Sequence, residues 1–384
     1  MSKPEIKIKI VETLLSINEE DWDACAAPEE ADGNRPFDPF TTYRFLRTLE
    51  ESGSVGKSTG WHPYYILALR GNDLLGCAPM YVKTHSQGEY IFDHAWANAY
   101  ERAGGRYYPK VQVAVPFTPV PGKRLLAKKE NQELVFPILI EGIKSFVAKN
   151  NLSSVHITFC SLEEFERGGG LGLLKRTSSQ FHWKNDNYKN FQDFLDALSS
   201  RKRKNIRKER DRAKSFGGKI VRYTGTEITE KHWDAFWDFY LDTGNRKWGQ
   251  PYLTRNFFEI AGKKLGKELL MILAEVDGNP IAGALNFIGQ DALFGRYWGC
   301  TESYSNLHFE ICYYQAIEYA IENGLSRVEA GAQGEHKLAR GYMPNHTYSL
   351  HWINNRDFST AVAQYLDEEL SLIHISEPTR LWTI

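Results

Sequence analysis

The chain predicts a mixed α/β (α+β) fold made of two tandem copies, each a sheet flanked by helices. Three observations carry this. Hairpin signals alternate with helix-period segments in both halves. Four short matches recur in the same order: Trp22-Asp23-Ala24 with Trp233-Asp234-Ala235, Gly33-Asn34-Arg35 with Gly244-Asn245-Arg246, residues 71–76 with 278–283, and 150–155 with 323–328. The length, 384 residues, exceeds what one ordinary core holds. Any one match would be chance, but the shared order argues for an internal duplication. The division falls in 183–192, giving copies at 1–187 and 188–370, with the active site expected in the second.

Each element has its reason. Lys7 to Ile10 alternates polar and apolar residues, an opening strand. Asp21 to Ala27 predicts a short helix. Thr41 to Glu51 predicts another, with Phe45, Leu46 and Leu49 on one face. Tyr64 to Leu69 and Leu74 to Val82 are strands joined by Gly71-Asn72-Asp73, a hairpin signal. Val111 to Val115 is a strand, and Ser154 to Phe159 another. Between them Asn131 to Lys149 is a helix with Phe136, Ile140, Ile143 and Val147 on one stripe. In the second copy one long helix is expected from Phe191 through Lys214. Leu293 to Trp298 is a strand, Phe309 to Asn323 a helix stopped by Gly324, and Ser326 to Ala330 a strand leading into Gly331-Ala332-Gln333-Gly334-Glu335-His336-Lys337. Asp357 to Leu370 is a last helix. Residues 371–384 match no domain pattern; they resemble translated adapter sequence and are read as a non-native tail.

Composition excludes several classes. Hydrophobic content of 42% and charged content of 25% are those of a soluble globular chain, and a net charge of −1 excludes a general polycation. Five cysteines without a CxxC or zinc-type spacing read as reduced thiols in a cytoplasmic protein, with no metal site. No leader-like segment and no apolar run of membrane-spanning length is present. Gly53 to Ser58 resembles a phosphate loop, but Glu51 stands where the motif needs glycine and a helix precedes it instead of a strand.

Two stretches carry chemistry. Residues 201–214 (RKRKNIRKERDRAK) hold nine basic residues, with Arg203, Arg207 and Arg210 on neighbouring turns as the expected anion-binding set. Residues 291–351 concentrate aromatic, ionisable and glycine residues. There Glu335, His336 and Lys337 follow a strand and a glycine-rich turn, where a sheet end opens. Lys337, Arg340 and Tyr342 would hold an acidic group of a substrate. Arg296 and Tyr297 alternate on their strand, so one faces in, and a buried ion pair for Arg296 competes with substrate contact. Glu310 lies beside its helix's apolar stripe, where a structural bridge competes with a catalytic role.

The blocks WHPYYILALRGNDLLGCAPMYVK, YERAGGRYYPKVQVAVPFTPV, RKRKNIRKER, GRYWGC, LHFEICYYQAIEYAI and EAGAQGEHKLARGY resemble the FemAB-like peptidoglycan biosynthesis/recognition proteins of the GNAT N-acyltransferase superfamily. The resemblance implies two tandem GNAT-like folds and transfer of an acyl or aminoacyl group to an amine, an acceptor such as a peptidoglycan precursor. It implies a donor at a splay between two central strands, with a pyrophosphate meeting the following helix. The corresponding turn, CTESYSNL at 300–307, lacks the glycine-rich pattern of CoA binders. Acyl-CoA and aminoacyl-tRNA both stay open as donors. A fainter resemblance to leucyl/phenylalanyl-tRNA–protein transferases implies that Glu310 and Gln333 face the reacting group. With Glu335 and His336 they form the expected catalytic set. The rival reading is a non-catalytic recognition module that binds a cell-wall precursor or RNA through the basic helix 201–214.

Overall fold

The computed structural model describes residues 5–247, 251–331 and 334–380, and only the backbone of 245–247, Glu335 and 372–380. Gln333 therefore lies outside the described residues, and so does the side chain of Glu335. Fifteen strands occur among them: β1 Ile6–Val11, β2 Trp61–Pro63, β3 Tyr65–Arg70, β4 Asp73–Ala78, β5 Met80–Lys83, β6 Lys110–Val113, β7 Leu126–Ala127, β8 Ser154–Cys160, β9 Leu174–Lys184, β10 Lys219–Thr224, β11 Leu269–Val276, β12 Asn279–Ile288, β13 Ala292–Cys300, β14 Arg327–Glu329 and β15 Met343–Ile353.

The chain forms two compact units that interleave. One holds residues 1–26, 55–178 and 346–384, the other 27–54 and 179–345. These units differ from a single cut at 187, and the strand pairing gives the reason. In the first unit β1, β3 and β4 are antiparallel neighbours, as are β2, β5 and β6; β6 then pairs parallel with β8, and β8 antiparallel with β15. In the second unit β10, β11, β12 and β13 are antiparallel, β13 pairs parallel with β14, and β14 antiparallel with β9. The order of directions is the same, so the duplication is real. Each unit takes a strand from the other half of the sequence: β15 follows β14 but pairs with β8, and β9 follows β8 but pairs with β14.

Local chemistry sets the interruptions. Pro79 has no N–H for the ladder and splits what is otherwise one strand into β4 and β5. The helix Tyr43–Glu51 starts where the Thr42 side chain accepts from the Phe45 amide. The long helix expected from Phe191 to Lys214 is two: Phe191–Ala197 and Ser200–Ala213. Leu198 is extended, and the Ser199 side chain caps the second helix at the Lys202 amide, which restarts the hydrogen-bond ladder. The last helix runs Arg356–Arg380, so its backbone continues past Leu370 into the tail.

The second unit's core lies between its sheet and the helices over it. Ile272, Ala284, Leu293 and Val328 of the sheet meet Ile311, Tyr314 and Ile317, with Phe194 and Ile206 beside them. The opposite face of this sheet is covered by Phe40 and Phe45, whose rings contact Phe287.

Candidate functional site

The site begins where β13 and β14 part. They pair at only three positions, ending at Phe294↔Glu329. On the other side of β13 the register slips: Leu285 pairs with Tyr297 and Asn286 with Gly295, leaving Arg296 as an extra residue. A bulge of this kind bends its strand and re-aims side chains. At Gly295 a Cβ would sit 3.4 Å from Asn286 Oδ1 and 3.5 Å from the Glu329 carbonyl oxygen, ordinary contact distances, so the position has room for a side chain no larger than the space between these neighbours. Gly331, at φ +77°, then turns the chain after β14.

From β13 the chain passes through residues 301–306, with Asn306 at φ +63°, into a helix of three pieces: Leu307–Phe309, a π turn at Glu310–Tyr314, and Gln315–Glu322. Single π turns inside helices recur at functional sites. A cleft of about 250 Å³ opens here, lined by Thr243, Trp298, Glu302, Tyr304, Leu307 and His308 among others. Its lining has a carboxylate, Glu302, and among the described residues no lysine or arginine. That lining fits a pyrophosphate poorly.

Most of the residues expected from the sequence gather around the π turn. Lys337 is buried and donates to the carbonyl oxygens of Ala330 (2.6 Å) and Gly331 (2.9 Å), the two residues that follow β14. Burial pulls its pKa down to about 8, against a smaller upward pull from Cys312. His336 Nε2 shares a hydrogen bond with Tyr313 Oη at 2.9 Å. Arg340 lies 3.5 Å over the Phe309 ring, bonds Glu209 at 2.7 and 3.1 Å, and donates to the His336 carbonyl. Tyr314 donates to the same Glu209. One carboxylate on the basic helix thus ties down both the π turn and the segment that carries Lys337.

Other expectations meet different surroundings. The Glu310 carboxylate is already filled: it accepts from Arg210 Nε (3.0 Å) and Nη2 (2.8 Å) and from Gln315 Nε2 (2.8 Å). Arg210 also bonds Glu318, at 3.1 Å through each Nη, and stacks 4.4 Å over Phe191. It therefore faces the protein, where an anion-binding role had been expected. Arg203 and Arg207 bond Asp196 and Gln192 near the surface. The exposed cations on that helix include Lys204, Lys208 and Arg212, one turn apart. Tyr342 has no exposed surface and packs edge-on against Tyr313, so it is a core residue with no surface to offer a substrate. Arg296 lies 5.4 Å from the Tyr297 ring centre, and Tyr297 packs edge-on against Tyr240.

Two residues outside the expected set stand out. Glu329 ends β14, and His182 of β9 is its cross-strand partner. Burial raises the Glu329 pKa to about 7, opposed by Arg327 and helped by Asp38 and Asp291. Burial, with Arg327, Lys184 and Lys337, lowers His182 to about 4. The available signal was a lone carboxylate in the short apolar strand RVEA; QFHW gave none, because β9 belongs to a partner strand far away in sequence.

A family model for FemAB-like proteins, described as peptidoglycan biosynthesis/recognition, matches residues 13–378. Among solved structures, FemX aligns over 92% of this chain and 100% of its own at 11% identity, with a TM-score of 0.55. A conserved protein of unknown function from Bacteroides thetaiotaomicron aligns over 90% and 99% at 10% identity, with a TM-score of 0.52. L-PGS from Bacillus licheniformis aligns over 87% and 98% at 10% identity, with a TM-score of 0.51. At these identities the structures speak for the fold alone. No curated protein matches this sequence.

Proposed function

We propose, from the premise that this chain belongs to the FemAB-like family, that it transfers an aminoacyl group from aminoacyl-tRNA to a primary amine, as on a peptidoglycan precursor. The observation that carries this is the splay itself: β13 and β14 part beside a bulge, and Lys337 is anchored to the backbone just past the parting point. Acyl transfer develops negative charge on the carbonyl oxygen, and a preorganised cation in a dry site stabilises it. Lys337 has three N–H donors, of which two are used on neutral carbonyls among the described residues. The third is available to a developing oxyanion or a donor phosphate. His336, held by Tyr313 and bonded through its carbonyl by Arg340, is a further candidate for contact with the substrate, as are Arg296 and Tyr297 on β13. Gln333 and Glu335 stay candidates for contact with the reacting group.

The donor choice follows from electrostatics. Glu302 in the cleft disfavours the pyrophosphate of an acyl-CoA, while Lys204, Lys208 and Arg212 offer a long polyanion a row of exposed cations. A binding-only role remains the second reading, favoured by one observation: Glu310, a candidate catalyst, is occupied by Arg210. No helix among the described residues is long and apolar enough to cross a membrane, and no cluster of metal ligands occurs among them.

A thermal-shift series with acetyl-CoA, longer acyl-CoAs and aminoacyl-tRNA tests the donor. A ligand at 100 times its Kd adds about 2.7 kcal/mol of apparent stability. Aminoacyl-tRNA should stabilise the protein and release its amino acid to a lysine-containing peptide. Stabilisation by an acyl-CoA alone would overturn the donor assignment, and binding without transfer to any amine would favour the recognition role.

A further inference from the structure

We infer that the Glu329 carboxylate, backed by His182, is the base that takes the proton from the attacking amine. The inference rests on the acyl-transfer reading above and names a residue for its proton. Three geometric observations carry it. Glu329 holds the last paired position before β13 and β14 diverge. Its Oε2 accepts no hydrogen bond among the described residues, although the side chain is 5% exposed. His182 Nε2, on the adjacent strand, is 3.7 Å from that oxygen and equally buried. A buried acceptor left empty costs about 1–3 kcal/mol, so its persistence where β13 and β14 part points to a donor that arrives with the substrate.

The charges around it are divided. Arg327, on the same strand, bonds Oε1 at 2.9 Å but also bonds Asp291 at 2.5 Å. Asp38, ahead of the Tyr43–Glu51 helix, and Asp291 both push the carboxyl toward its neutral form, while Lys337 acts on His182. His182 stays neutral and shares a 3.3 Å hydrogen bond with Gln180 Oε1. The result is a carboxyl that titrates near neutrality, where a general base works best.

The chemistry balances without a further reagent. The acceptor enters as an ammonium, and Glu329 takes one proton. The freed nitrogen lone pair attacks the donor's carbonyl carbon; the C–N bond forms as the carbonyl pair moves to oxygen. On collapse the bond to the ribose oxygen breaks, and a second proton passes from nitrogen to that oxygen. The products are an amide, a free hydroxyl and a protonated Glu329, which loses its proton to water.

The test uses the full chain and two readouts. Infrared difference titration needs no substrate: the wild type should show a buried carboxyl titrating near pH 7, and E329Q should lack it. Transfer from aminoacyl-tRNA to a lysine-containing peptide should fall about 10²–10⁴-fold in kcat for E329Q, the usual worth of a general base. The acid limb of the rate profile near pH 7 should vanish with it. E329D, which keeps a carboxylate but withdraws it, should keep the limb at reduced kcat; it also serves if E329Q fails to fold. An active wild type with E329Q unchanged in rate and limb overturns the base assignment alone. So does an unchanged infrared titration. A wild type that transfers nothing, with every donor tried, overturns the acyl-transfer reading and takes this inference with it.

Discussion

The Arg210 guanidinium grips the Glu310 carboxylate through two nitrogens, at 3.0 and 2.8 Å, from the inner edge of a helix whose outer edge is a row of exposed cations. One basic helix therefore has two faces with different work. The inner face fastens the helix to the π turn; the outer face meets solvent.

Removing the inner contact should cost stability. Glu310 is 5% exposed, and an unpaired buried carboxylate costs several kcal/mol. Arg210 is itself about a fifth exposed, which softens the loss. Arg210→Gln should lower the unfolding free energy by roughly 2–3 kcal/mol in urea titration. Arg203→Gln and Arg207→Gln should each stay within about 0.5 kcal/mol, as surface charges do. Equal effects at all three positions would show that the inner contact contributes nothing special.

The outer face should be visible in salt dependence. Each phosphate contact on a single strand contributes about 0.7 to the slope of log affinity against log salt. Replacing Lys204, Lys208 and Arg212 together by Gln should flatten the slope for tRNA by about two and leave folding intact, because Gln is a good helix former. An unaltered slope in filter-binding measurements returns this face to plain solvation.

Lys337 should impose an alkaline limit. Its folded pKa, about 8, lies below the usual lysine value, so it loses its charge as pH rises through 8. If that charge serves the reaction, wild-type activity falls above that point. Lys337→Arg holds its charge far beyond it and should extend the plateau, while Lys337→Met should lose about 10²–10³-fold, as when an oxyanion donor is removed. A Met variant with wild-type rates would dismiss the role.

The first unit should be acid-sensitive. His156 and His351 are buried and face each other, Nδ1 to Nδ1, at 2.7 Å, where one must donate and the other accept. Burial, with Lys110 adding to it, lowers His156 to about 3; burial, with His156 adding to it, lowers His351 well below its usual value. A depressed histidine stays neutral in the folded state while the unfolded chain takes up protons below about 6.5. Stability is therefore present above pH 6.5 and is lost progressively toward pH 3, by an amount on the order of 2–4 kcal/mol. A His156→Asn/His351→Asn variant should show a flatter acid limb in chemical denaturation; a limb as steep as the wild type's would locate the acid sensitivity elsewhere.

Local signals were enough for most elements of this protein. Gly71-Asn72-Asp73 fixed a hairpin and Gly324 a helix end, because each acts within a few residues of backbone. The repeated order of those signals was enough for the duplication, since an ordered series of short matches outlives the divergence of the residues between them. Tertiary structure alone decided which strand completes each sheet: β9 and β15 exchange, and no local pattern encodes a partner so far off in the chain. The same holds for charge. In sequence Arg210 is one of nine like residues on a helix, and Glu310 a carboxylate beside an apolar stripe; only packing brings them within 3 Å and fills the one with the other. Glu329 and His182 gain their shifted protonation from burial and from charges such as Asp38, Asp291 and Lys337 that packing brings near them, conditions set by three-dimensional surroundings, which a one-dimensional pattern of residue types does not carry.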